Sequence, residues 1–134
     1  MSLKLTRGMR NNNPLNIRKA QSWVGEVEES DDPDFEQFYD MKYGLRAAFI
    51  ILRTYIKIRN CYNISLIINR WAPRVENKTE DYIDFVCRFT GLDRYQRIQF
   101  EDKEKIIKIV QAMAIVESDK YLSHHVLEEA YELA

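Results

Sequence analysis

Four asparagines crowd a short stretch near the N-terminus and offer a recognisable chemistry. They are Asn11, Asn12, Asn13 and Asn16. An amide side chain donates and accepts hydrogen bonds at once, which suits the hydroxyl and N-acetyl groups of sugars. We therefore expect a polar loop that lines a groove. The alternative is a turn in which the same amides bond to their own backbone.

Glu117 follows the apolar run 112–116 near the C-terminus. Val110 and Met113, seven and four residues earlier, share its side of the predicted helix, and both are typical core residues. A carboxyl group buried there would have a raised pKa, as a general acid needs at neutral pH. The alternative is a glutamate at a helix end that points into solvent.

A third group of residues surrounds the turn Trp71-Ala72-Pro73. Aromatic faces stack on ligands that have an apolar side, sugars included. Trp71, Glu76 and Tyr82 are therefore candidates for the rim of a binding groove. Packing between two helices is the alternative function of this turn.

The sequence offers little for other chemistries. His124 and His125 are adjacent, so they would not face one another on a helix, and no acidic or cysteine ligand is spaced to join them. Cys61 and Cys87 lack a CxxC partner and are expected to be reduced thiols. We find no nucleotide-binding fingerprint and no Ser/His/Asp set. We expect neither a metal nor a cofactor.

Composition narrows the class of protein. The 134 residues include 20 Lys or Arg and 21 Asp or Glu, a net charge of −1, which gives no support to nucleic-acid binding. The longest apolar run is 47–52, whereas a membrane span needs about 20 residues. The N-terminus lacks the apolar region of a signal peptide, so we expect synthesis in the cytoplasm.

The pattern predicts one α+β, mainly α, domain over residues 1–134, with residues 1–6 as a flexible arm. A small β-hairpin is expected from runs 22–28 and 35–39. Apolar spacing predicts helices over 43–59, over 63–71, and from the region 77–80 to a stop at Gly91. Asp102 is expected to open the longest helix, with Val116 facing inward, and Ser123 to cap a last helix over 124–132.

The chain resembles a phage and prophage family whose members are often described as virion structural proteins. Residues 8–18, GMRNNNPLNIR, are similar to that family's opening G-[IM]-R-N-N-N-P-G-N-I-R. Leu15 stands where the family has Gly, which puts the loop geometry in question, since a side chain can forbid a positive φ. The similarity continues in order through 23–25, 43–47, 70–73 and 76–82.

A more distant resemblance is to peptidoglycan glucosaminidases and lytic transglycosylases of the lysozyme-like superfamily. Those proteins have N-N-x-F-G-I-K, then W-x-G, then F-R-x-Y before a helix, and a helix ending in Glu-Ser carries their acid. Here Glu117-Ser118 comes near the C-terminus. The resemblance therefore implies a circularly permuted lysozyme-like domain, which is feasible when the termini meet.

These resemblances imply a protein that cleaves glycan strands of peptidoglycan. Glu117 would be the general acid, and Asn11, Asn12, Asn13, Asn16, Trp71, Glu76 and Tyr82 would bind the saccharide. Only Glu76 and Glu26 are candidates for a second carboxylate, so a single-acid route is favoured. A phage particle or a holin would carry the protein to the wall. The alternatives are a non-catalytic virion or cell-wall-binding component, with virion proteins as partners, and an interaction module without a glycan partner.

Overall fold

The protein is mainly helical in its computed structural model, which describes residues 5–72 and 76–134 except for the side chains of residues 76 and 77. Six helices occur within this part of the chain. In order they are α1 (Arg7–Arg10), α2 (Met41–Lys57), α3 (Ile64–Trp71), α4 (Glu76–Thr90), α5 (Lys103–Ser118) and α6 (His124–Leu133). The helical class predicted from apolar spacing is confirmed.

The helix ends follow the predicted capping residues in most cases. The Asn63 side chain accepts from the backbone N–H of Leu66 at 2.8 Å and begins α3. Ser123 caps α6 in the same way, and Gly91 ends α4 with a φ of +74°. Asp102 makes no such cap hydrogen bond. Its carboxylate accepts from the backbone N–H of Gln99 instead.

Helix α5 forms the centre of the core. Ile106, Ile109, Val110 and Met113 are fully buried. Helices α4 and α6 pack against α5, α2 packs mainly against α6, and α3 packs against α4. Two expectations for α5 are wrong. Val116 is exposed, because Ser118 is the residue that faces the interior at this end of the helix. Helix α5 is also not the longest described helix, since α2 has 17 residues and α5 has 16.

The predicted β-hairpin is reduced to two isolated antiparallel bridges among the described residues. Arg18 pairs with Phe35, whereas Glu26 pairs with Phe38. Residues 34–39 therefore divide their backbone hydrogen bonds between segments 17–19 and 25–27. Because each partner takes only part of this segment, neither pairing extends into a regular two-stranded ladder.

The N-terminal region is more ordered than the sequence suggests. Residues 1–4 of the predicted flexible arm lie outside the described residues. Thr6 begins the short helix α1, and its hydroxyl donates to the backbone carbonyl of Ser118 at 2.8 Å. The N-terminal segment thus contacts the C-terminal end of α5. No described helix combines the length and the apolar character that crossing a membrane requires.

Candidate functional site

The C-terminal end of α5 is held against the asparagine loop, 11–16. The hydroxyl of Ser118 donates to the backbone carbonyl of Pro14 at 2.7 Å, and both groups are buried. Asp119 then ends the helix in a left-handed conformation with a φ of +52°. Since Glu117 immediately precedes this anchored residue, the position of its backbone is fixed relative to the loop.

Gly8 allows this close approach because it has no side chain. A Cβ at Gly8 would lie 2.0 Å from the Oγ of Ser118 and 2.8 Å from the backbone oxygen of Asn13. Both distances are shorter than real carbon–oxygen contacts, so no other residue fits without displacing the loop or α5. The glycine in the opening motif is therefore required by packing.

Asn16 connects the loop directly to the carboxyl group of Glu117. Its Nδ2 lies 3.1 Å from the backbone oxygen and 3.4 Å from Oε1 of Glu117. Asn16 has a φ of +53°, a conformation that asparagine adopts more readily than most residues. Leu15 does not have a positive φ and is fully buried in the core. The left-handed positions of the loop are at Asn12 and Asn16 instead.

The second partner of the Glu117 carboxyl group comes from α4. The phenol of Tyr82 donates to Oε2 of Glu117 at 3.1 Å. Burial raises the pKa of Glu117 above its ordinary value, while hydrogen bonding from Asn16, Tyr82 and Trp71 and the charge of Arg18 oppose this rise. Burial also raises the pKa of Tyr82 well above 10, so its phenol stays a donor.

Glu117 opens into a cavity of about 580 Å³ with aromatic walls. The aromatic lining residues are Trp23, Phe35, Tyr55, Trp71 and Tyr82. The cations Arg18 and Lys78 also line it. A cavity with apolar ring faces, a few polar groups and one half-buried carboxyl group has the general form of a small-molecule or saccharide site.

The structure brings together four of the predicted site residues. Asn16, Trp71, Tyr82 and Glu117 all line this cavity. A long distance between Glu117 and the asparagine loop would have excluded a common site. Instead, Glu117 lies within hydrogen-bond distance of Asn16 in this loop. The side chain of Glu76 lies outside the described part of the chain.

The other three asparagines do not line the cavity. Asn11 donates to the carboxylate of Asp32 at 2.8 Å, and Asn12 donates to the backbone oxygen of Phe38 at 3.0 Å. Asn13 is fully buried and bonds to backbone atoms of Ile17 and Glu36. Only the bonds between Asn13 and Ile17 are local, as in the alternative considered above. The others tie the loop to residues 32–38, and Asn16 is left to face the cavity.

Asp32 is the centre of a group of hydrogen bonds that support the asparagine loop. Arg7 donates to both of its carboxylate oxygens, each at 2.7 Å, and the backbone N–H groups of Asp34 and Phe35 add two more hydrogen bonds. The Arg7 guanidinium keeps the pKa of Asp32 far below its usual range. Arg7 also lies over the ring of Phe35, a lining residue of the cavity.

No second carboxylate lines the cavity among residues whose side chains are described. Glu26, one of the two candidates, accepts from the backbone N–H of Trp23 at 3.1 Å and lines a different, smaller cavity. A general acid without a carboxylate partner in the cavity can protonate a leaving group but cannot supply a protein nucleophile.

Sequence reasoning missed several wall residues, above all Tyr55 and Arg18. Tyr55 shares the predicted apolar side of α2, so nothing in its spacing distinguishes a core position from a cavity wall. Its ring meets that of Trp71 edge-on, with centroids 6.1 Å apart. Trp23 and Phe35 lie in the segments that resemble the W-x-G and F-R-x-Y motifs. That resemblance is the sequence feature that could have identified them as wall residues.

The expectation that no acidic residue joins the histidine pair is wrong. His124 Nε2 lies 2.9 Å from Oε2 of Glu104, and Glu128 is close enough to complete a group of three possible ligands. The fold creates this group because α6 packs beside the start of α5. Lys103 also bonds to Glu128 at 2.8 Å, so a cation already neutralises one of the three.

The fold and the cavity define a mainly helical protein with an aromatic cleft built around one half-buried glutamate. The chain is 46% identical over 105 residues to Protein P5 of Pseudoalteromonas phage PM2, a match that covers 75% of this chain. It covers 66% of that protein, slightly less than two thirds of its length. No protein-family model matches the chain. The comparison supports the expected relation to a phage protein family.

Proposed function

We propose that this phage-related chain binds glycan strands of peptidoglycan in the aromatic cleft and cleaves them with Glu117 as the single general acid. One observation carries the proposal. The half-buried carboxyl group of Glu117, whose pKa is raised, opens into the cleft and is oriented by Asn16 and Tyr82. A protonated carboxyl group in such a position can donate to the oxygen of a glycosidic bond.

In the proposed reaction the proton of Glu117 passes to the bridging oxygen while the bond from that oxygen to the sugar carbon breaks. The leaving sugar departs as an alcohol, and the positive charge that develops on the remaining sugar needs an electron pair. No carboxylate among the described cleft side chains is placed to give it. The proposed donor is the substrate's own N-acetyl oxygen, which forms a cyclic cation that water then opens, or an intramolecular hydroxyl of the substrate. In either case the proton released by the water or the hydroxyl returns to Glu117, which is ionised after the first transfer.

The proposed architecture is a lysozyme-like domain whose catalytic helix is permuted toward the C-terminus. Contacts between the N-terminal segment and the end of α5 support it. Thr6 bonds to Ser118, and Ser118 bonds to Pro14, so the asparagine loop and the Glu-Ser end of α5 form one unit. A permuted order can keep the same site when the segments that were adjacent in the original order still lie side by side. The proposed route to the cell wall is a phage particle or a holin.

The cleft walls support a saccharide ligand in particular. Trp71 and Tyr55 present ring faces and edges, and Arg18 and Lys78 add positive charge to the same cavity. Peptidoglycan strands have apolar sugar faces and carry carboxylates on their peptide stems, so they match both features.

A second candidate is a non-catalytic phage component that binds the wall, or other virion proteins, through the same cleft. The similarity to Protein P5 fits this candidate better than a catalytic role, because nothing in that comparison points to a glycosidase. The lack of a second carboxylate among the described cleft side chains also favours it.

Co-sedimentation with insoluble peptidoglycan, followed by mass analysis of soluble products, tests both candidates. The catalytic proposal expects binding and release of glycan fragments by the wild-type chain, with binding but no release by Glu117→Gln. Trp71→Ala should weaken binding in either case. Binding without release by the wild-type chain supports the second candidate. No binding at all contradicts both cleavage and wall binding, and leaves only the binding of other virion proteins.

A further inference from the structure

A second, smaller cavity adjoins the aromatic cleft, since Ala20 and Gln21 line both, but Glu117 does not line it. It has a volume of about 450 Å³, and its polar lining includes Glu26, Glu28, Ser30, Glu36 and Lys19. Three carboxylates and one hydroxyl thus face one ammonium group. The local excess of negative charge distinguishes this cavity from the aromatic cleft.

Glu36 is the unusual member of this group. It is only 2% exposed, and its Oε2 is a buried oxygen with no hydrogen-bond partner among the described residues. A buried carboxylate oxygen without a partner costs free energy and is rare in folded proteins. Arg7 and Asp32 show the usual solution nearby, in which every carboxylate oxygen is bonded. The unpartnered oxygen of Glu36 therefore calls for a group that the described residues do not supply.

The neighbouring carboxylate increases this cost. Burial and then the nearby Glu26 raise the pKa of Glu36 to about 7, whereas a backbone hydrogen bond at Ala20 and the charge of Lys19 oppose this rise. Two carboxylates held side by side repel each other when both are ionised. Either a shared proton or a bound cation can relieve the repulsion.

We propose that Glu26 and Glu36 bind a hard divalent cation, Ca²⁺ or Mg²⁺, in this cavity. The donors are all oxygens, which such cations prefer over the nitrogen and sulfur ligands of zinc sites. Ser30 lines the same cavity, and water would supply the remaining ligands. The cation would coordinate Oε2 of Glu36 and offset the repulsion between the two carboxylates.

The site would stabilise one wall of the aromatic cleft. Glu26 accepts from the backbone N–H of Trp23, Trp23 lines the cleft, and Glu26 also pairs with Phe38 through the backbone. A cation between Glu26 and Glu36 would therefore tie together the two segments that the isolated bridges join only weakly. Its effect is on stability, and the proposal does not depend on what the cleft binds.

Calorimetry and thermal unfolding of the full chain test the proposal, with CaCl₂ or MgCl₂ compared with NaCl at the same ionic strength. We expect saturable binding of one cation and a rise in Tm that EDTA reverses. Glu36→Gln should weaken binding at least tenfold, and Glu26→Gln should weaken it as well. Glu29→Gln, a matched change at an exposed glutamate of the same loop, should leave binding unchanged.

The thermal stability of Glu36→Gln without cation shows whether weaker binding by this variant reflects a loss of folding. Without added cation, Glu36→Gln should be at least as stable as the wild-type chain, because the repulsion with Glu26 is removed. A wild-type chain that binds neither cation would overturn the proposal and leave a shared proton as the explanation. Equal binding by wild type and Glu36→Gln would overturn it too.

Discussion

The phenol of Tyr82 and the carboxyl group of Glu117 face each other across 3.1 Å, with the phenol as donor. They come from α4 and α5, and each is shielded from solvent by the packing of those helices. The pair gives Glu117 a fixed orientation toward the cleft while burial keeps its pKa high.

Removal of this donor should raise the pKa of Glu117 further. The hydrogen bond from Tyr82 stabilises the charged carboxylate and so lowers the pKa. We expect Tyr82→Phe to move the Glu117 titration to higher pH in a carbon-detected NMR experiment. Tyr121→Phe, at an exposed tyrosine, is the control and should have no effect. An unchanged or lower pKa in Tyr82→Phe would contradict the assigned hydrogen bond.

Glu117→Gln should stabilise the fold at neutral pH. The pKa of Glu117 is raised above 4.5 by burial, so the folded state holds the proton more tightly than the unfolded state. The stability from this group is fully present below about pH 4.5 and is lost as pH rises through the folded pKa. The variant should therefore have a Tm above that of wild type at pH 7, and the advantage should disappear at pH 4.

The control for this comparison is Glu129→Gln, since Glu129 is exposed on α6. Its Tm should follow that of wild type at both pH values. A Glu117→Gln chain that is less stable than wild type at pH 7 would mean that the carboxylate makes net favourable contacts, contrary to a cavity that disfavours its charge.

Asp32→Asn should destabilise the fold and remove part of its acid sensitivity. The pKa of Asp32 lies far below its ordinary 3.8 because of Arg7. Its contribution is present above about pH 4 and is lost as pH falls below that value. We expect a Tm lower by several degrees at pH 7 and a smaller difference at pH 2. Asp31→Asn, at its exposed neighbour, should change neither value much.

Gly8→Ala should disturb both the fold and the site. The new Cβ would lie 2.0 Å from the Oγ of Ser118, and such overpacking costs about 1–3 kcal/mol. We expect a lower free energy of unfolding in urea and a changed Glu117 titration. Gly91→Ala is the comparison, since its Cβ meets nothing within 4 Å. It should cost about 1 kcal/mol through its positive φ alone and leave Glu117 unaffected.

Much of the helical architecture follows from the sequence, because apolar spacing and caps act locally. The bounds of α3 follow from Asn63, and the end of α4 follows from Gly91. The hairpin could not be predicted correctly, since the division of residues 34–39 between two partners depends on contacts with residue 17, far from the turn. The exposure of Val116 likewise depends on tertiary packing, which buries Ser118 at this end of α5 instead.

The site was predictable where a residue type signals its own chemistry. Glu117 could be proposed from its place beside Met113, and Asn16 from the loop motif. The inward orientation of Asn11 and Asn13 could not, because it depends on Asp32 and on the backbone of Glu36. The unpartnered oxygen of Glu36 gives no sequence signal at all, since its burial arises from tertiary packing.

The central claim is that Glu117 acts as an acid on glycan strands, and turbidity clearing of purified peptidoglycan tests it most directly. We predict that the wild-type chain clears the suspension, that Glu117→Gln does not, and that Glu129→Gln clears it as wild type does. Equal clearing by wild type and Glu117→Gln, or no clearing by the folded wild-type chain, would contradict the claim.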